Sequence, residues 1–176
     1  PAMKARFRIA VTTRDSATVL SNAPIQRQEQ ADGGRKTVHF EETPPLSTYL
    51  VALAVGALEA SSPTKCGKTE IRVWHVPGKG ALTGFSLQAA RECLARLEKW
   101  FGLPYPYAKL DLVAVPDFEA GAMENAGAVF FRENLLLLDP KAATLAEQKR
   151  AAEVICHELA HMWYGDLVTM AWWDDL

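Results

Sequence analysis

Residues 144–165 read TLAEQKRAAEVICHELAHMWYG, and the rest of the chain is best understood outward from them. Thr144 followed three residues later by Glu147 is a capping box, in which each side chain satisfies a free backbone N–H of a first helical turn. Gly165 is a natural C-terminal stop. The pattern predicts a helix over residues 145–164. Within it His157, Glu158, Leu159, Ala160 and His161 fit H-E-x-x-H. Residues i and i+4 of an α-helix share one face, so both imidazoles can reach a single ion.

Zinc accepts neutral imidazole at roughly 2.0–2.1 Å and lowers the pKa of its bound water to about 7. Glu158, next to the first histidine, is placed to take a proton from such a water. A catalytic zinc site uses three protein ligands and an open position. Past His161 the sequence offers Asp166, Asp174 and Asp175. Asp166 falls just outside the helix, and for all three a structural or solvated role is expected. The third ligand is not evident.

Upstream the pattern is mixed α and β. Phe85, Ala89, Cys93, Leu97 and Phe101 recur every four residues, an amphipathic helix over residues 85–101 that Gly102 and Pro104 stop. Residues 71–76, 110–115 and 128–131 read as strands, the four leucines at residues 135–138 equally as a strand or a buried helical turn, and Gly121, Ala122, Met123, Glu124 and Asn125 form an unusual string in a Gly- and Ala-rich segment. His75 has no partner at metal spacing and is expected to be structural. The first seventy residues read as β-structure. Phe7, Ile9 and Val11 alternate with polar or small residues, residues 18–20 form a short strand, and residues 26–30 and 35–40 form a hairpin around Asp32, Gly33 and Gly34. His39 on that hairpin is expected to be solvated. The apolar run at residues 48–58 reads as a buried strand, and the turn-rich stretch at residues 61–67 as a domain boundary.

Composition narrows the function classes. The 176 residues are 49% hydrophobic and 23% charged, with 19 Lys and Arg against 21 Asp and Glu. Without a basic surplus, a nucleic-acid or anionic-membrane surface has no support. The longest apolar run, residues 49–58, is half of the roughly twenty residues that a membrane helix needs. Cys66, Cys93 and Cys156 are odd in number and widely spaced, which predicts buried thiols rather than a disulfide framework and fixes no compartment.

The string Gly121, Ala122, Met123, Glu124, Asn125, the downstream His157, Glu158 and His161, and the segments at residues 163–169 and 172–176 together resemble the M1 family of zinc aminopeptidases. The resemblance implies an α+β fold. Residues 1–66 would be the C-terminal part of an all-β N-terminal domain, and residues 67–176 the start of a thermolysin-like zinc-peptidase domain. It implies that His157 and His161 bind Zn2+, that Glu158 is the general base, and that Glu124 holds the free α-ammonium of a peptide substrate. The backbone of Gly121, Ala122 and Met123 would lie along that substrate, with Asn125 beside it. The family's third zinc ligand, a glutamate, and its transition-state-stabilising tyrosine would fall beyond Leu176, so an interior piece, inactive alone, is expected. Two rival readings remain: a non-catalytic interaction module derived from this fold, and an endopeptidase that shares only the zinc helix.

Overall fold

A computed structural model describes residues 2–175. Pro1 and Leu176, the outer ends of the two expected domains, lie outside the described residues, as does the side chain of Asp175. In chain order the elements are β1 (Ala10–Arg14), β2 (Thr18–Ser21), β3 (Ile25–Ala31), β4 (Arg35–Phe40), β5 (Leu53–Gly56), β6 (Glu59–Ala60), β7 (Thr64–Cys66), β8 (Thr69–His75), α1 (Gly84–Phe101), β9 (Leu110–Val115), β10 (Ala122–Met123), β11 (Ala128–Arg132) and α2 (Leu145–His161). The fold is α+β, with strands dominating the first half and both long helices in the second.

Among the described residues, three sheets organise the strands. β1, β4 and β3 form an antiparallel sheet whose hairpin tip carries Gly33 and Gly34 with positive φ, the geometry the Asp-Gly-Gly turn predicts. β2 and β5 form an antiparallel pair. The largest sheet runs β10-β11-β9-β8-β6, with β7 also paired to β8. β9 lies between β8 and β11 and runs parallel to both. Parallel neighbours need a crossover, and α1 supplies it between β8 and β9.

The alternation in β8 sends Ile71, Val73 and His75 into the core. β9 is buried along nearly its whole length, as a central parallel strand should be. Against this sheet pack Ala90 and Leu94 of α1, Ile155 and Leu159 of α2, and Met162 just beyond it, all fully buried. Truncating any one of the large side chains would cost about 2–5 kcal/mol. The observed α2 starts with the expected reciprocal cap. Glu147 N–H donates to Thr144 Oγ1 and Thr144 N–H donates to Glu147 Oε2. α1 ends at Gly102, whose φ of 66° is left-handed.

Three expectations are corrected and one left open is settled. Cys93 and Cys156 are not free thiols but a disulfide joining α1 to α2 with their Cα atoms 5.7 Å apart; Cys66 remains a free, buried thiol. Residues 48–58 are not one buried strand. Thr48–Leu50 is a 3-10 turn that buries Leu50, and β5 after it leaves Leu53 and Val55 exposed. Of the two readings open for residues 135–138 the strand does not form: Leu135 closes a 3-10 turn, Glu133–Leu135, and the leucines after it fill the core from a loop. The first strand starts at Ala10, later than the alternation suggests, because Phe7 N–H is taken by Thr43 Oγ1 and Ala5 bridges Leu46.

Candidate metal centre

The fully buried Ile155 and Leu159 fix the rotation of α2, and its last turn presents His157 and His161 side by side. Their Nε2 atoms lie 3.2 Å apart. Two metal–nitrogen bonds of roughly 2.0–2.1 Å at a tetrahedral angle would separate their nitrogens by about 3.3 Å. The pair therefore fits one ion. His161 Nδ1 lies 3.1 Å from the carbonyl oxygen of Tyr164, which can only accept, so Nδ1 carries the proton and Nε2 the lone pair. Holding the tautomer through the far nitrogen is how metal-binding histidines are commonly oriented.

Glu158 sits on the same turn but points into the protein, 6% exposed. Burial, and then the nearby Glu124 charge, push its carboxyl up to about 7. Glu124, Glu158 and His161 bring one donor atom each within 4.8 Å of one another. The acid that sequence places far upstream thus meets the helix. Sheet pairing delivers it: β10 lies antiparallel on β11, which lies parallel on the central β9, and Glu124 follows directly after β10.

Gly121, Ala122 and Met123 run along the outermost position of the large sheet, where Arg132 N–H donates to Gly121 O. Among the described residues β10 pairs only with β11, so its other edge offers backbone groups to an extended ligand. Asn125 is buried. Its N–H donates to Met123 O, and its carbonyl accepts from Ala128 N–H. The other two histidines are elsewhere. His75 is buried and donates from Nδ1 to Val76 O, and His39 lies partly covered between Arg27 and Glu29.

Asp166 is a residue whose place the sequence did not reveal. The solvated alternative is ruled out, because it is 0% exposed and neither carboxylate oxygen has a hydrogen-bond partner among the described residues. Burial and then Glu124 push it up to about 8, with Lys4 opposing and Glu158 adding the smallest push. Lys4 Nζ itself donates to the carbonyls of Asp166 and Leu167, tying the start of the chain to the segment after α2. Nothing in the local spacing marks Asp166, since an acid just past a helix-stopping glycine reads as loop. Asp174 is exposed.

Residues 1–50 match the model of the peptidase M1 N-terminal domain, and residues 85–176 that of the peptidase family M1 domain. Over its whole length the chain is 47% identical to a puromycin-sensitive aminopeptidase of Caenorhabditis elegans. It is 44% identical to a probable aminopeptidase 1 of Saccharolobus solfataricus and 43% to aminopeptidase M1-A of Oryza sativa subsp. japonica. It spans 19%, 22% and 20% of those proteins respectively, about a fifth of the length of the curated relatives it matches. No described helix is long and apolar enough to cross a membrane. With two consecutive domain models matched in order, and the second covering more than half of it, the chain belongs to peptidase family M1.

Proposed function

We propose that the chain supplies the zinc-binding helix and the amine-recognition loop of a zinc-dependent aminopeptidase, which removes N-terminal residues from peptides. The observation that carries this reading is the approach of Glu124 to Glu158 and His161 at the open edge of a β-strand. His157 and His161 would hold the ion. When bound, zinc would supply Lewis acidity toward a peptide carbonyl and toward water.

The protein groups do the rest. Glu158, with a carboxyl near neutrality, accepts the proton of the attacking water and passes it to the departing amine. Glu124 pairs with the free α-ammonium, a cation present only where a peptide begins, and so restricts cleavage to the first bond. The edge of β10 aligns the peptide backbone as an added strand. Residues 1–66 are proposed as the end of the N-terminal domain and residues 67–176 as the start of the catalytic one, with β6 and β7 crossing that boundary by pairing with β8. The 176-residue chain by itself is proposed to bind zinc weakly and hydrolyse little, since two imidazoles fall short of three protein ligands.

The test is hydrolysis of a fluorogenic leucyl amide and of its N-acetylated form by the zinc-loaded protein, extended at both ends to the length of its relatives. Cleavage of the free-amine substrate alone supports the proposal. Equal cleavage of the acetylated substrate would replace it with an endopeptidase. Absence of zinc-dependent cleavage of either would leave a non-catalytic interaction module.

A further inference from the structure

Glu124 stands in the short connection between β10 and β11, residues 124–127, and that connection is held from outside by two polar side chains. Asn22, buried at the end of β2, uses its whole amide. Nδ2 donates to Ala126 O at 2.9 Å and to Leu50 O at 2.8 Å, while Oδ1 accepts from Ala52 N–H at 2.9 Å. Lys109, just before β9, uses all three ammonium protons. Its Nζ donates to Gly127 O at 3.0 Å, to Ser21 O at 2.8 Å and to Asp111 Oδ2 at 2.6 Å. Two successive loop carbonyls, those of Ala126 and Gly127, are thus captured by donors that belong to neither β10 nor β11.

The backbone between these anchors is equally constrained. Gly127 has φ +73°, and a Cβ there would lie 2.5 Å from the carbonyl oxygen of Asn22, so the loop and the end of β2 touch as only glycine permits. Ala126 is sealed with Leu46 and Leu50 beneath Tyr49 and Tyr107.

We propose that Asn22 and Lys109 are positioning residues for amine recognition: they clamp the residues 124–127 loop onto β2 and the β9 entry, and so hold Glu124 facing the zinc helix before substrate arrives. The inference rests on the reading of Glu124 as the group that pairs with the substrate ammonium. Ordering the carboxylate in advance removes an entropic cost from binding the amine and leaves binding at the metal side untouched. The β2–β5 pair therefore acts on specificity, although its strands carry none of the site's acids or histidines.

The test uses two metal-directed probes, leucine hydroxamate and its des-amino counterpart 4-methylpentanohydroxamic acid, with affinities read by calorimetry on the zinc-loaded full-length protein. Their affinity ratio reports the amine alone. Asn22→Ala is expected to lower that ratio about tenfold, short of the roughly hundredfold that a misplacement of about 1 Å can cost, with des-amino affinity unchanged. In the double variant with Glu124→Gln the ratio should fall no further than with Glu124→Gln alone. Thr18→Val, which removes the Thr18 Oγ1 bond to Leu58 O on the same strand, serves as the purely structural control; it should lower Tm and leave the ratio in place. If Asn22→Ala fails to fold, Asn22→Ser, whose hydroxyl cannot serve both carbonyls, is read in the same way. A ratio unchanged in the Asn22 variants while Glu124→Gln collapses it overturns the positioning role alone. A ratio unchanged by Glu124→Gln overturns the reading of Glu124 and this inference with it.

Discussion

Gly165 approaches His161 so closely that a Cβ at residue 165 would stand 2.9 Å from the imidazole Nδ1. Its φ of 129° lies where side chains are rarely found, so both space and backbone call for glycine. The same close turn brings the carbonyl of Tyr164 to Nδ1 and thereby sets the tautomer. Gly165→Ala is expected to push the ring aside and weaken the zinc complex about 10–100-fold, the usual cost of disturbing a ligand's orienting partner. Competition against a chromophoric chelator measures it, and unchanged affinity would mean the ring has room to relax.

On the proposed reading, a change at Glu158 separates binding of the ion from its use. Glu158→Gln keeps the shape and buried position of the side chain but removes its ability to accept a proton. The full-length protein should lose about 10²–10⁴-fold in kcat, the range attributed to general acid–base catalysis. Its zinc content should be unchanged. Loss of zinc together with activity would instead make Glu158 a ligand.

The Cys93–Cys156 bridge lies directly before His157 and ties α2 to α1. Closing a loop of 63 residues restricts the unfolded chain, a stabilisation of about 4 kcal/mol by the chain-entropy account. Unreduced peptide mapping should recover the two cysteines on linked peptides. Urea unfolding with and without a thiol reductant should show a lower midpoint in the reduced protein, and identical curves would count against a structural role for the bridge.

Part of this architecture is legible in the sequence, for reasons that differ from element to element. α2 is legible because its signals are local: Thr144 and Glu147 cap one end, and His157 and His161 sit one turn apart near the other. The hairpin around Gly33 and Gly34 is legible because positive φ leaves a compositional mark. Glu124 is different. Nothing in its own surroundings tells that β10 docks on β11 beside β9, and only the family resemblance brought it to the helix. The Cys93–Cys156 pair was missed because spacing along the chain does not report Cα approach. Residues 48–58 misled because an apolar, β-branched run fits a 3-10 turn and loop packed on a neighbour as well as a strand. Asn22 and Lys109 left no signal, since a polar residue that spends its hydrogen bonds on distant carbonyls looks like any surface residue until the fold is known.

The cap on α2 gives stability a defined pH dependence. Hydrogen bonds from the Thr144 side chain and then from its backbone hold the Glu147 carboxyl below its ordinary value of 4.5. The unfolded chain therefore binds more protons than the folded one between those two values, and stability rises with pH across that window. The contribution is complete above the ordinary carboxylate range and disappears as pH falls through the lowered folded value. Glu147→Ala should consequently have a lower urea midpoint than the parent at neutral pH, and the two should converge as the pH falls through the lowered folded value. Metal affinity at neutral pH should not follow. Glu147 and His157 lie about three turns apart on the helix, and Ile155 and Leu159 anchor the distal end in the core whether or not the first turn frays. A Glu147→Ala protein that lost zinc affinity in step with stability would show instead that α2 melts as one unit.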